Sequence, residues 1–316
     1  MIKYTIKRIL LLIPTLAIVL TIVFCLMQMV PGSPVYAMVE GEEYTPEEIW
    51  QLEEELGFHD PIWIQYLRYV GNILRGDWGK SYLNSRPVFE NMVKIWEPSI
   101  LMAFMATIIT VVIALPVGVL SATHRNSLLD YVVTSTSMVS MTIPTVCWAL
   151  LLCYTLAYKL DIFPIMGYDY IREEGFWHSV YYVSLPSISL GLHHVASMAR
   201  LTRTTMLDVL NQDYIRTAKA KGLPQHKVYY KHALKNTLSL VGTNIATSFA
   251  GILGGSAITE RVFGIRSLGT LAVTSLSGRD YTQEQAIVLF SAFMCLGVNL
   301  LLDLFYKALD PRIQYE

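Results

Sequence analysis

The chain has 316 residues, of which 53% are hydrophobic and only 16% are charged, and its formal net charge is −1. Soluble domains contain about 25% charged residues, so this composition excludes an ordinary soluble domain. It predicts an all-α protein that crosses a membrane several times. The four cysteines lie inside apolar runs, which favours small hydrophobic side chains over disulfide bonds or metal ligands.

A retained membrane span is predicted over residues 1–30. Its last 22 residues, 9–30, carry no charge and follow Lys3, Lys7 and Arg8. A cleaved signal peptide would have an apolar region of roughly 7–15 residues followed by small residues, and this run is longer. The basic residues in front of the span predict a cytoplasmic N-terminus.

Residues 31–97 are predicted to form an extracytoplasmic, partly helical segment. They hold 12 Asp/Glu and five Lys/Arg. Thr45-Pro46-Glu47-Glu48 is typical of a helix start, and Ile49, Leu52 and Leu56 follow at helical spacing. A solvated acidic surface is the simplest interpretation, with contact to a partner outside the cell as the alternative.

Five further uncharged runs are each predicted to span the membrane. They cover residues 98–123, 131–158, 179–199, 236–259 and 286–302. Pro144 lies within the second run and is expected to kink it, because proline removes a helical hydrogen bond. Together with their loops these runs form a predicted core domain of five helices, residues 98–316.

The distribution of charge predicts six spans with both termini in the cytoplasm. The inner segments of this topology hold 14 Lys/Arg, whereas the outer segments hold 10 over many more residues, together with 19 Asp/Glu. This asymmetry satisfies the positive-inside bias.

A basic stretch, residues 213–235, separates the fourth and fifth predicted spans. Between Tyr214 and Lys235 it contains six Lys/Arg and no Asp or Glu. Asp213 is expected to cap a short helix, and Ala218 and Gly222, four residues apart, to form a notch of small residues on one face. The sequence Gly222-Leu223-Pro224 predicts the end of that helix and the start of another. The positive-inside bias or contact with anionic lipid headgroups would explain the charge alone.

The order of residues in this stretch resembles the coupling loop of ABC-importer permeases, in the oligopeptide/dipeptide branch. The resemblance lies in RTAKAKGL, residues 216–223, and HALKN, residues 232–236. Four more blocks resemble the same branch: PGSP at 31–34, residues 56–82 (LGFHDPIWIQYLRYVGNILRGDWGKSY), residues 258–271 with 278–285 (ITERVFGIRSLGTL and GRDYTQEQ), and residues 298–313. Arg266-Ser267 and Thr282 depart from the Pro-Gly and Pro that the family usually has there.

This resemblance implies a type I ABC importer permease fold and a role as one membrane subunit of an ATP-driven peptide importer in the plasma (inner) membrane of a prokaryote. Implied partners are a second homologous permease, two cytoplasmic ATPases, an extracytoplasmic solute-binding protein, a peptide and membrane lipid, but no nucleic acid. No G-x-x-x-x-G-K-[ST] loop is present. The subunit is therefore not expected to be an enzyme or to hold a cofactor or metal, and ATP and Mg would be bound by the ATPases.

The residues that would contact the ATPase lie within a coupling loop, residues 204–235. By the resemblance they are Tyr214, Arg216, Thr217, Ala218, Ala220, Lys221, Gly222, Leu223 and Pro224. Movement of this loop would switch the bundle between inward- and outward-facing states.

Four polar residues in or next to the predicted spans are expected along a translocation path: His193, His194, Ser256 and Glu260. Adjacent helical residues point about 100° apart, so the histidine pair does not suit one metal ion. A neutral histidine hydrogen-bonded to a neighbouring helix is the simpler interpretation. Gly251 and Gly255 form a GxxxG pattern that predicts close helix packing.

Two alternatives stay open at this point. The same branch includes importers of nickel chelates and of glutathione, so the solute could be non-peptidic. An ion-coupled secondary transporter is a different class; it would need intramembrane carboxylates, and the uncharged cores of the first five spans argue against it.

Overall fold

The computed structural model describes residues 2–30, 35–39 and 44–309, and in these ranges the regular secondary structure is helical apart from one isolated β-bridge between Lys80 and Pro87. The PGSP block at 31–34 and the predicted cytoplasmic C-terminus beyond residue 309 lie outside these residues. The helices are α1 (Ile2–Gln28), α2 (Val35–Met38), α3 (Pro46–Glu55), α4 (Ile62–Leu74), α5 (Val88–Thr123), α6 (Leu128–Thr142), α7 (Thr145–Leu152), α8 (Ile171–Glu174), α9 (Phe176–Leu210), α10 (Asp213–Ala220), α11 (Gln225–Lys227), α12 (Leu234–Gly255), α13 (Ala257–Val262), α14 (Leu268–Ser277) and α15 (Tyr281–Leu309). Two π-helical segments, Cys153–Lys159 and Val228–Ala233, continue α7 and α11.

The chain divides into two compact units. The first comprises residues 1–97 and 267–301, and the second comprises residues 98–266 and 302–316. Helix α5 continues without a break past residue 97, where the predicted extracytoplasmic segment ends.

In the first unit, α3 begins where the sequence predicts. Thr45 Oγ1 accepts a hydrogen bond from the Glu48 N–H at 3.3 Å, and the Glu48 carboxylate accepts one from the Thr45 N–H at 2.7 Å. This reciprocal pair satisfies two N–H groups that the first helical turn leaves free. The hydrogen bonds from Thr45 lower the pKa of Glu48.

The core of the first unit brings two of the resemblance blocks together. Val88 and Met92 of α5 pack against Leu268 of α14 and Phe290 of α15. Beside them, the buried carboxylate of Asp280 accepts hydrogen bonds from the Ser81 hydroxyl and, at 3.1 and 3.2 Å, from the N–H groups of Tyr82 and Gln283. Asp280 thus caps α15 and fixes the Gly76–Ser81 loop to it.

In the second unit, the predicted kink at Pro144 is a full break. Helix α6 ends before Pro144, and the axis of α7 with its π-helical continuation turns by 98° from that of α6. Ile143 has an extended backbone, ψ 120°, as is usual before proline. Pro144 itself has no N–H for α6 and starts α7 instead.

The long helix α9 is the centre of the second unit, packed against α5, α6, α7 and α12. Close approach to α5 requires glycine on both sides. A Cβ on Gly118 of α5 would lie 2.6 Å from the Ala199 carbonyl oxygen, and one on Gly191 of α9 would lie 3.1 Å from that of Ala106. By contrast, Gly251 of the predicted GxxxG pattern is exposed, and a Cβ there would meet nothing within 4 Å. The expected close packing at that pattern is absent around Gly251.

By length and composition, four described helical segments can cross a membrane, or five if the bent pair α6–α7 is one span. The four are Ile9–Gln28, Val88–Thr123, Gln225–Gly254 and Tyr281–Leu301. The predicted fourth span, residues 179–199, is helical but lies outside this set, because its serines and histidines lower the hydropathy. The predicted span 236–259 is also corrected at its end, since the helix stops at Gly255 and Ser256 separates it from α13.

Candidate functional site

Helix α10 carries the first half of the basic stretch, and it begins one residue earlier than predicted. Gln212, with an extended backbone, is the N-cap, and it makes no side-chain capping bond. Asp213 is the first helical residue, so the prediction that it caps the helix is wrong. Its exposed carboxylate lies 3.4 Å from Arg216 Nη1 and still places a negative charge at the positive end of the helix.

The end of α10 is a Schellman motif built on Gly222. Gly222 has φ +75°, and its N–H donates to the Lys219 carbonyl at 2.9 Å, while the Leu223 N–H donates to the Ala218 carbonyl at 3.4 Å. This pattern closes a helix when the residue after its last turn adopts the left-handed conformation, which glycine does at little cost. Pro224 then precedes α11 and accepts from the Lys227 N–H at 2.9 Å. The predicted stop and restart are confirmed.

The predicted notch of Ala218 and Gly222 is wrong. Gly222 lies beyond the helix end at Ala220, so it shares no helical face with Ala218. Ala218, only 7% exposed, points into the chain's own core together with the fully buried Ile215, three residues before it. Two inward positions at this spacing define the buried side of a short amphipathic helix.

The base on which α10 rests is formed by the ends of two long helices. Val119 and Ala122 of α5, and Met206 and Val209 of α9, form one buried cluster with the inward side chains of α10. Leu223 packs against the same cluster, which is the hydrophobic contact that accompanies a Schellman motif. Helix α10 is therefore fixed to the bundle by apolar packing.

The opposite side of this element is exposed and basic. Of the predicted contact residues, Tyr214, Arg216, Thr217, Ala220, Lys221, Gly222 and Pro224 are exposed, Leu223 is half-buried and Ala218 is buried. All six cations of the stretch are exposed: Arg216, Lys219, Lys221, Lys227, Lys231 and Lys235. The Tyr214 hydroxyl accepts a hydrogen bond from Asn236 Nδ2 at 2.8 Å, which ties α10 to the start of α12. Residues 213–224 thus form a fixed, positively charged ridge on the surface of the second unit.

Glu260 forms a second polar group inside the second unit, at the break between α12 and α13. It is fully buried, and its Oε1 accepts hydrogen bonds from Ser256 Oγ at 2.9 Å and from Ser99 Oγ of α5 at 2.8 Å. Its Oε2 has no hydrogen-bond partner among the described residues. The structure thus brings Ser256 and Glu260 together and adds Ser99, which sequence reasoning missed because it lies 161 residues away.

His193 and His194 lie together on α9, with ring centroids 5.5 Å apart and ring planes at 87°. His193 Nδ1 is buried and has no partner among the described residues, so the expected hydrogen bond to a neighbouring helix is not formed by that atom. Over the described ranges, no group of three or more His, Cys, Asp or Glu side chains is arranged to hold a metal ion. The structure gives no contact between this pair and the Glu260 group.

Comparison with known proteins identifies the family. Residues 114–315 match the model of the binding-protein-dependent transport system inner membrane component, and residues 1–108 match the model of its N-terminal region. The chain is 36% identical to the oligopeptide transport system permease protein AppB of Bacillus subtilis and 33% identical to the dipeptide transport system permease protein DppB of Escherichia coli K12. It is also 34% identical to the glutathione transport system permease protein GsiC of Salmonella paratyphi A. Each of these alignments covers 100% of both chains.

Solved structures of ABC transporters share the fold of this chain. An inward-facing MetNI methionine ABC transporter aligns with a TM-score of 0.59 and 17% identity, covering 71% of this chain and 98% of the other. An amino acid ABC transporter solved with histidines aligns with a TM-score of 0.53 and 17% identity, covering 70% of this chain and 94% of that one. Because residues 114–315 and 1–108 match the two family models and the full length matches relatives above 30% identity, the chain belongs to the binding-protein-dependent transport system inner membrane component family of multi-pass permeases.

Proposed function

We propose that the chain is one transmembrane subunit of an ATP-driven importer of oligopeptides or dipeptides. The observation that carries this proposal is the exposed basic ridge of residues 213–224, which rests on the ends of α5 and α9 in a member of this permease family. The peptide solute follows from the full-length relatives AppB and DppB. Glutathione, itself a short peptide derivative, is the second candidate because of the relative GsiC.

The partners in this proposal are a second permease, an extracytoplasmic solute-binding protein and two ATPase subunits that bind ATP and Mg. The exposed face of α10 docks into a groove of one ATPase, and its cations favour a groove lined with acidic side chains. Because the inward face of α10 is packed into the bundle, closure of the ATPases moves the ends of α5 and α9 with it. Two states of the bundle thereby acquire different contacts with the ATPase, which coupling requires.

The proposed topology has six spans, with both termini in the cytoplasm. The bent pair α6–α7 forms one span, and α9 supplies the span that hydropathy alone does not reveal. Its 35 residues are about 52 Å long at 1.5 Å per residue, enough to cross a bilayer. Its neighbours on several sides are α5, α6, α7 and α12, so its polar side chains face protein more than lipid. Ser187 Oγ, for example, is buried and donates to the Met102 carbonyl of α5.

The test is reconstitution of the complex that copurifies with the tagged subunit from its native membrane in mild detergent. The expected result is a complex containing a second permease and ATPases, which takes up labelled dipeptides or oligopeptides in vesicles when its binding protein and ATP are added. Competition with glutathione distinguishes the two solute classes. A subunit that purifies alone and transports on an ion gradient without ATP would overturn the proposal.

A further inference from the structure

We propose that the ion pair between the buried Asp130 and the half-buried Arg203 is a positioning clamp that carries movement of α10 to α6, and that the coupling of ATP hydrolysis to uptake depends on it. The inference rests on the proposed function, because it takes the exposed face of α10 as the contact with the ATPase.

The Asp130–Arg203 clamp has the geometry of a strong, bidentate ion pair. Asp130 lies in the first turn of α6 and is only 3% exposed. Arg203 of α9 donates from Nε to Asp130 Oδ1 at 2.5 Å and from Nη2 to Oδ2 at 2.7 Å. Two parallel, charge-assisted hydrogen bonds fix the orientation of both groups as well as their separation.

Two further groups donate hydrogen bonds to the Asp130 carboxylate. Ser121 Oγ of α5 donates to Oδ1 at 2.5 Å, and the Asn126 N–H of the connecting turn donates to Oδ2 at 3.0 Å. Each carboxylate oxygen thus accepts two hydrogen bonds. Three helices, α5, α6 and α9, meet at the single side chain of Asp130, so none of the three can shift there without breaking at least one of these bonds.

The clamp and the base of α10 are built on the same two helix ends. Ser121 lies between Val119 and Ala122 of α5, which pack under α10, and Arg203 precedes Met206 of α9 by three residues, less than one turn. Helical backbone is rigid over that distance. Displacement of α10 therefore moves Ser121 and Arg203, two of the three residues that donate to Asp130, and Asp130 transfers the displacement to the start of α6.

Helix α6 is suited to receive this movement. It packs along α9, and its far end meets α7 at the 98° break at Pro144. Pro144 has no N–H to join α6 to α7, and its carbonyl accepts from the Cys147 N–H of α7 at 2.9 Å, so the backbone between Thr142 and Pro144 can change angle without breaking that bond. The start of α6 follows α5 and α9 through the clamp, while its other end turns relative to α7.

The test measures ATP hydrolysis and solute uptake together in vesicles that contain the complete transporter. The informative variant is the double substitution Asp130→Asn/Arg203→Gln, which leaves no unpaired buried charge, whereas Asp130→Asn alone leaves the guanidinium without its partner. Arg200→Gln is the matched control, since Arg200 is an exposed arginine of the same helix less than one turn away. All variants are compared per assembled complex, quantified by copurification of the ATPase.

The double variant is expected to assemble and hydrolyse ATP, but its uptake per ATP hydrolysed should fall by about tenfold, within the range of coupling effects in allosteric proteins. The Arg200→Gln control should keep the wild-type ratio. If the wild-type transporter works and the double variant keeps the same uptake per ATP hydrolysed, the clamp proposal is overturned and the proposed function stands. The ion pair would then have only a role in stability. A wild-type complex that shows no ATP-driven uptake would overturn the proposed function and the clamp with it.

Discussion

Substitution of Gly222 separates the two roles of the basic stretch, helix termination and docking. Gly222 has φ +75°, and a Cβ built there would meet nothing within 4 Å. A Cβ therefore costs only backbone strain inside this chain, about 1–2 kcal/mol for an ordinary L-residue in the left-handed conformation. Asparagine tolerates that conformation better, so Gly222→Asn should cost less than Gly222→Ala. Because Gly222 is exposed, tryptophan places its bulk at the surface that the proposed partner would cover.

The assay compares Gly222→Asn, Gly222→Ala and Gly222→Trp by membrane yield, copurified ATPase and ATP-dependent uptake in a strain without the native copy. Yields should be similar for all three, because about 1–2 kcal/mol of local strain does not prevent insertion of a multi-span protein. Uptake should stay near wild type for asparagine, fall modestly for alanine and vanish for tryptophan, together with the bound ATPase. Wild-type uptake in Gly222→Trp would refute docking at this ridge, and equal losses in all three would show that helix termination alone matters.

Three further predictions concern residues that the structure buries or caps. Ile215→Ala should reduce the stability of α10 packing by about 2–5 kcal/mol, the usual cost of truncating a buried isoleucine, and should therefore speed proteolysis of residues 213–235. The exposed control Thr217→Ala should leave the proteolysis rate unchanged. Glu260→Gln keeps an acceptor for both serine hydroxyls, so its thermal midpoint in detergent should stay near wild type, whereas Glu260→Ala removes that acceptor and should lower the midpoint; a clear drop with glutamine would show that the second carboxyl oxygen also has a partner. Because the backbone N–H and the hydroxyl of Thr45 lower the pKa of Glu48, the capping box should stabilise α3 above the unfolded pKa and weaken as pH falls through the folded pKa. Hydrogen exchange of α3 should show this, and Thr45→Ala, which removes the hydroxyl but keeps the backbone N–H, should reduce the effect without abolishing it.

Local patterns predicted those features of the fold that depend on a few neighbouring residues. The helix start at Thr45, the break at Pro144 and the stop at Gly222 each follow from a backbone constraint that the residue type imposes in almost any context. The same locality explains the error at Ala218. Its alignment with Gly222 assumed a helix that continued through Gly222, and the left-handed glycine ended that helix two residues earlier.

The buried polar contacts could not be predicted in this way, because each joins residues far apart in the chain. Ser99 and Glu260 are separated by 161 residues, and Asp130 and Arg203 by 73. One isolated signal was present. Asp130 stands at the edge of an uncharged run, where a carboxylate near hydrocarbon needs a partner, but the sequence contains many cations that could have supplied it.

The protein contacts around α9 explain both its polar composition and the position of the proposed Asp130–Arg203 clamp. A helix with lipid on most sides must be apolar all round, whereas α9 lies against α5, α6, α7 and α12 and can carry serines, paired histidines and Arg203. Those polar groups bind it to its neighbours: Ser187 to α5 and Arg203 to α6. In the proposed topology α9 is therefore the span best placed to carry movement from α10 into the bundle, because directional hydrogen bonds as well as apolar packing join it to its neighbours.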